Sequence, residues 1–211
     1  MKKLRILFQG DSVTDAGRDK RNYYNLGNGY PKYASKLIAD AHPDIEFEFI
    51  NLGISGNRTS QLFDRLHPDA LALQPDIVSI LIGVNDVWHR QSVVPVLTSD
   101  EQIELNYRMI LTNIRKHTNA KIMMIAPYLI EREDKAQVRA ELDHVITSII
   151  RPLADEFADV YVPLNEYMDE AVKTQSEPKH YSADGVHPNE NGARFIGDLY
   201  AEALKPLINS L

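Results

Sequence analysis

The sequence predicts an α/β domain of three layers, with helices covering both faces of a parallel sheet. Three observations predict it. Short apolar runs recur along the chain, segments with helical spacing lie between them, and two of the runs are apolar almost throughout. Alternation of strand and helix argues for parallel strands joined by crossover helices. A strand with no polar side is one buried on both faces. The chain has 211 residues, is 44% hydrophobic, lacks cysteine and carries a formal net charge of −7. That suffices for one well-filled core, expected as a single domain over 1–211. No repeat, low-complexity tract or Pro/Gly-rich linker divides it.

The strands are expected at Leu4–Gln9, Glu46–Asn51, Asp76–Ile82, Lys121–Ala126 and Asp159–Val162. The first helix is expected over Tyr30–Ala41. A second covers Ser60–Leu73, with Pro68 near a break or a start. Ile103, Tyr107, Ile110, Leu111 and Ile114 give helical spacing after Ser99, which can form a capping box with Gln102. Leu142, Val145, Ile146, Ile149 and Leu153 mark a long helix bent at Pro152. Ala193, Ile196, Leu199, Ala203 and Leu207 mark the last, started by His-Pro-Asn-Glu. Five strands suggest a flavodoxin-like sheet of order 2-1-3-4-5, whose ligands bind beyond the carboxyl ends of the strands, beside strand 1.

Composition narrows the function. An acidic chain with no Lys/Arg cluster is a poor partner for nucleic acid. Without cysteine there is no disulfide, thiol nucleophile or thiolate metal site. The amino-terminal Lys-Lys-Leu-Arg-Ile-Leu-Phe falls short of the ~7–15 apolar residues of an export core. No stretch approaches the ~20 of a spanning helix. The sequence therefore reads as soluble and cytoplasmic, with no membrane partner. A homo-oligomer is left open, since no surface patch for one is legible.

In the predicted order, the loops after strands 1, 2 and 3 converge. They read Gly-Asp-Ser-Val-Thr-Asp-Ala-Gly (Gly10–Gly17), Asn-Leu-Gly-Ile-Ser-Gly-Asn-Arg-Thr (Asn51–Thr59) and Gly-Val-Asn-Asp-Val-Trp-His-Arg (Gly83–Arg90). Near the other end lies Tyr181-Ser-Ala-Asp184-Gly-Val-His187-Pro. Asp184 can reach His187 across the glycine turn, fixing its tautomer and leaving Nε2 free as a base. The segment from about Asn165 to His187 is long enough to bring the pair over the strand ends. Taken singly, each feature is ordinary turn chemistry. A serine after a strand caps a turn, Asn85-Asp86 makes an Asx turn, Gly53 serves a turn, and Asp184 and His187 suit a surface loop. Their joint occurrence at neighbouring strand ends points to a site.

These blocks resemble those of the SGNH hydrolases, also called GDSL-type esterases and lipases: Gly10-Asp11-Ser12, Gly53 in Asn-Leu-Gly-Ile-Ser-Gly-Asn, Gly83-Val-Asn85-Asp86 and Asp184-Gly-Val-His187. The resemblance runs along nearly the whole chain, in order. Val13 departs mildly, standing where the family frequently has leucine or isoleucine. The resemblance implies the same three-layer fold and an esterase with a Ser-His-Asp triad. Ser12 would be the nucleophile, His187 the base and then acid, and Asp184 its orienting carboxylate. The oxyanion hole would be the N–H groups of Ser12 and Gly53 and the side-chain amide of Asn85. No cofactor or metal is required.

Within the family, Gly-Ile-Ser-Gly-Asn, Gly-Val-Asn-Asp-Val-Trp and Leu26–Tyr33 look most like carbohydrate O-acetyl esterases acting on acetylated xylan. The substrate is then a small acetyl ester of a saccharide, with Asp11, Trp88 and Tyr30 as substrate-binding candidates and Tyr23 and Tyr24 flanking the first loop. Trp88 equally suits helix packing, and the tyrosines suit core or surface packing. Some members of that subgroup carry an aromatic before the catalytic Asp; here Ala183 holds the place, with Tyr181 two residues earlier. Asp15 and Asp86 read as turn formers that support the site. The runner-up is a lysophospholipase or thioesterase, which needs an apolar groove that no exposed apolar stretch announces. A flavodoxin-like small-ligand binding module is the non-enzyme reading; the first loop is neither G-x-G-x-x-G nor a P-loop. A metal site from His180, Asp184 and His187 lacks a helix-face pair.

Overall fold

The computed structural model describes residues 2–175 and 177–211. Its five strands are β1 (Lys2–Gly10), β2 (Ile45–Asn51), β3 (Ile77–Leu81), β4 (Lys121–Ile125) and β5 (Val160–Val162). All pair in parallel, in the order β2-β1-β3-β4-β5. The predicted fold class and strand order hold. Every residue of β3 is buried, and β1 is buried from Ile6 to Gly10. This is the pattern of strands covered on both faces.

Charge pairs match the register at the β2 edge. Lys3 lies opposite Glu46 and Arg5 opposite Glu48, and the two ion pairs close at 2.9 Å and 2.5 Å. A one-residue slip would separate both pairs and turn β1's inward side chains to the wrong face.

Helix α1 (Ser12–Asp15) is a single turn directly after β1, and α2 (Tyr30–Ala41) follows it. The stretch expected as one helix over Ser60–Leu73 is divided into α3 (Thr59–Asp64), α4 (Leu66–Asp69) and a 3₁₀ turn at Leu71–Leu73. Pro68 explains the division: its ring collides with the carbonyl four residues back, that of Asp64, where α3 stops. Helix α5 (Val84–Trp88) follows β3. Helix α6 (Asp100–His117) has the expected capping box, with Ser99 N donating to Gln102 Oε1 at 2.9 Å and Gln102 N to Ser99 Oγ at 3.3 Å.

The helix expected to bend at Pro152 runs as α7 (Ala136–Val145), a π-helical segment Ile146–Ile150, and α8 (Arg151–Phe157). Pro152 offers no N–H to the carbonyl of Ser148, so the departure lies in the turn before the proline. The stretch left without structure by the sequence begins as a helix, α9 (Leu164–Gln175). Helix α10 (Glu190–Ser210) is capped by Asn189, whose side chain accepts from Gly192 N at 3.1 Å. Helix α10 packs on α2, while α6 packs on α3 and α8. Among the described residues, no helix is long and apolar enough to cross a membrane.

Candidate active site

The carboxyl ends of β1, β2 and β3 bring three loops to one rim. Asp11 caps α1 by accepting from Val13 N at 3.0 Å. Ser12 is therefore the first helical residue, and its N–H has no intrahelical acceptor. Its Oγ lies 2.9 Å from His187 Nε2. The other ring nitrogen, Nδ1, lies 2.6 Å from Asp184 Oδ2. Asp184 Oδ1 accepts from the N–H groups of Val186 at 2.9 Å and His187 at 2.8 Å. Burial tends to raise the Asp184 carboxyl, but the His187 ring and these N–H groups outweigh it and hold it well below the usual range. An ionised Asp184 accepts a hydrogen bond from Nδ1–H and so keeps the proton on Nδ1, leaving Nε2 to accept from the Ser12 hydroxyl. The loop carrying the pair is pinned by Ile130 N donating to Gly185 O at 2.9 Å and Arg132 Nη1 to Ala183 O at 2.9 Å.

Cross-loop bonds hold the other side. Asn51, fully buried, donates from Nδ2 to the carbonyls of Thr14 at 2.8 Å and Leu26 at 3.0 Å. Asp15 Oδ2 accepts from Ser55, and Asp86 accepts from both the N–H and the hydroxyl of Thr59. Asn85 Nδ2 donates to Asn57 O at 3.0 Å. An asparagine amide has two N–H bonds, so one orients the group and the other remains for a ligand. A cleft of about 480 Å³ opens over these residues, lined by Ser12, Gly56, Asn85, Trp88, His89 and His187 among others.

Two buried carboxylates lie beneath the cleft. Burial pushes the Asp11 carboxyl up to about 7, although Val13 N and His187 act in the other direction. Burial likewise pushes Asp86 up to about 6, against its bonds from Thr59.

Three expected site residues are placed elsewhere. Gly53 does not face the cleft: its N–H donates to Asn51 Oδ1 at 2.9 Å, and its carbonyl accepts from Arg18 Nε at 2.8 Å. Its Cα lies against α1, where an added Cβ would sit 2.3 Å from Asp15 N. The glycine of this loop that does line the cleft is Gly56, at φ +81°, with nothing within 4 Å of a Cβ position. Its N–H makes no hydrogen bond among the described residues. The sequence signal for Gly56 was present in the same block, as the second glycine of Gly-Ile-Ser-Gly.

Tyr30 is fully buried, its ring clustered with those of Phe8 and Tyr200 and its hydroxyl 3.1 Å from Thr14 Oγ1, so it is a core residue rather than a substrate contact. Asp11 is also buried and spends its carboxylate on the α1 cap, so it cannot reach a ligand. Trp88 does line the cleft, with Lys135 Nζ 4.7 Å from its ring centroid. Tyr24 turns away to donate to Glu48 on the β2 edge, and Tyr181 is buried against Phe195. The structure also exposes an apolar stretch that the sequence did not announce: Val93, Val94 and Leu97, on the loop after Trp88.

A parallel three-layer sheet with a serine, histidine and carboxylate in hydrogen-bonded series at its carboxyl edge defines the geometry of a serine hydrolase. Comparison with known proteins agrees. The profile of the GDSL-like lipase/acylhydrolase family matches residues 8–195. The chain is 31% identical over 199 residues to an acetylxylan esterase of Geobacillus stearothermophilus, covering 91% of this chain and 90% of that one. It is 31% identical over 160 residues to thioesterase 1/protease 1/lysophospholipase L1 of Escherichia coli K12, covering 76% of this chain and 68% of that one. The crystal structure of Axe2, an acetylxylan esterase from Geobacillus stearothermophilus, superposes with a TM-score of 0.83 at 30% identity, covering 97% of this chain and 94% of that one. The chain belongs to the GDSL-like lipase/acylhydrolase family and is a carboxylic ester hydrolase.

Proposed function

We propose that this protein is a serine esterase that removes small acyl groups, acetyl above all, from the hydroxyls of sugars or oligosaccharides. The observation that carries the reading is the unbroken series Ser12 Oγ–His187 Nε2 at 2.9 Å and His187 Nδ1–Asp184 Oδ2 at 2.6 Å. Ser12 Oγ attacks the ester carbonyl as His187 Nε2 takes its proton. The C=O electrons move to oxygen, and the tetrahedral oxyanion is held by the Ser12 N–H, the Gly56 N–H and the Asn85 amide. Among the described residues the Ser12 and Gly56 N–H groups make no hydrogen bond, and the Asn85 amide, bonded once to Asn57 O, keeps a second N–H. Asp184 stabilises the imidazolium. Collapse breaks the bond to the alcohol, which leaves with the proton from His187. Water, deprotonated by His187, then attacks the acyl-enzyme and restores Ser12. Pre-aimed donors of this kind are worth about 2.7–4 kcal/mol each in the transition state.

The acetylxylan esterase relatives support the acetylated saccharide, and Trp88 in the cleft wall offers a face for a sugar ring. A long-chain acyl hydrolase is the second reading, favoured by the Escherichia coli relative and the exposed Val93, Val94 and Leu97. The test is acyl-chain selectivity on p-nitrophenyl esters from acetate to dodecanoate, with acetylated xylo-oligosaccharides alongside. A preference for acetate, with acetate released from the sugar and both lost in Ser12→Ala, supports the first reading. A preference for dodecanoate replaces it with the second.

A further inference from the structure

Arg65 lies between α3 and α4, and only 13% of its side chain is exposed. It belongs to none of the four blocks, yet its guanidinium touches the backs of two of them. Nε donates to Asn57 Oδ1 at 2.8 Å. Nη1 donates to Gln9 Oε1 at 2.8 Å and Asp69 Oδ2 at 2.9 Å. Nη2 donates to the carbonyl of Gly10 at 3.1 Å, two residues before Ser12. Gln9 closes the network by donating to Asp69 O at 2.6 Å.

Asn57 is the hinge of this arrangement. Its side chain is held by Arg65, and its carbonyl accepts from Asn85 Nδ2 at 3.0 Å. Its N–H is tied to Ile54 O at 3.1 Å. The direction of the Asn85 amide is therefore set by a carbonyl whose own residue is anchored through its side chain to a guanidinium. The same guanidinium fixes the end of β1. Five N–H donors in a planar fork suit such a junction, whereas an ammonium is a point charge on a flexible stem. Among the described residues Asp69 is the single carboxylate Arg65 bonds; the other three acceptors are neutral oxygens.

We infer that Arg65 is a positioning residue for the reaction: acting through Asn57, it holds the Asn85 amide on the developing oxyanion and in register with Ser12. The inference rests on the esterase reading of the site. It places the effect of Arg65 on kcat, since an aim that matters for the oxyanion acts in the transition state rather than on substrate binding.

The experiment is a double-mutant cycle on p-nitrophenyl acetate, after Ser12-dependent turnover has been established in the wild type. Arg65→Met is expected to lower kcat by about tenfold or more, the size of one charge-assisted hydrogen bond, with KM within about twofold. Asn85→Ala is expected to lower kcat by about 10²–10³. In the Asn85→Ala background, Arg65→Met should cost no more than about threefold, because the group it positions is gone. Asn57→Ala removes the acceptor side chain while keeping the carbonyl, and serves if Arg65→Met does not fold; the same non-additivity with Asn85→Ala is expected. Arg65→Lys should not restore kcat. Costs that multiply in the double mutant, or a folded Arg65→Met with wild-type kcat, overturn the inference while leaving the esterase reading intact. Absence of Ser12-dependent hydrolysis in the wild type overturns both.

Discussion

Asp15 Oδ2 accepts both the N–H and the hydroxyl of Ser55, each at 2.9 Å. One carboxylate thereby joins the turn after Ser12 to the loop that carries Gly56. Burial alone would raise this acid, but the Ser55 bonds and the charges of Lys20 and Arg18 hold it below the usual range. Its stabilisation is therefore present above the unfolded-state pKa and lost as pH falls through the folded-state value. Asp15→Ala strands the Ser55 donors and is expected to destabilise the protein by about 2–3 kcal/mol. Urea titration at pH 7 checks this, and Asp15→Asn, which keeps an acceptor oxygen, should recover part of the loss.

The two glycines of the second loop should behave differently. Gly53→Ala drives a Cβ to 2.3 Å from Asp15 N and 2.7 Å from Thr14 C, both backbone atoms of the α1 turn that begins at Ser12. Loss of about 3 kcal/mol or more is expected, since backbone cannot move aside as a flexible side chain can. Gly56→Ala meets open space but must hold φ +81°, for a cost of about 1–2 kcal/mol. Thermal melts of the two variants give the comparison, and equal melting temperatures would contradict it.

Asp11 sets a pH dependence of stability. Its folded-state value, about 7, lies above its ordinary 3.8. Between these the native state binds more protons than the unfolded chain, so its contribution to stability falls as pH rises through that window. Asp86, at about 6, adds to the slope over the lower part. His89, pushed down by burial, opposes it. Subtracting a variant isolates Asp11. Asp11→Asn keeps a good helix cap and should gain on the wild type in melting temperature from pH 5 to pH 8. A difference independent of pH would contradict the assignment.

Trp88 should separate sugar from acyl recognition. If the sugar stacks on it, Trp88→Ala raises KM for acetylated xylo-oligosaccharides by about 3–10-fold, the worth of one aromatic contact. Steady-state kinetics with p-nitrophenyl acetate, which carries no sugar, should change little. Equal losses on both substrates would assign Trp88 to packing.

Much of the fold was legible because local pattern and long-range packing agree. The spacing of Ile103, Tyr107, Ile110, Leu111 and Ile114 is the buried face of α6, and Ser99 with Gln102 caps it. The parallel sheet followed from the alternation of elements and its order from the five strands, which set the Ser12 and Asn85 loops side by side; Asp184 and His187 were legible as a pair in one late loop, with enough chain before it to reach the strand ends. What escaped depends on atoms far apart in the chain. Which glycine of Gly-Ile-Ser-Gly keeps a free N–H is decided by the reach of the Asn51 side chain. Tyr30 is claimed by Phe8 and Tyr200, the latter 170 positions away in sequence. Helix α9 (Leu164–Gln175) lies in a stretch read only by its length, as the chain that carries Asp184 and His187 over the strand ends.

The most direct measurement is rapid-quench mass spectrometry of the protein turning over p-nitrophenyl acetate, with peptide mapping of the acylated residue. One acetyl group on Ser12, accumulating in wild type and absent from Ser12→Ala, is the predicted result. Undiminished hydrolysis by Ser12→Ala, or an acetyl group on another residue with Ser12 unmodified, would contradict it.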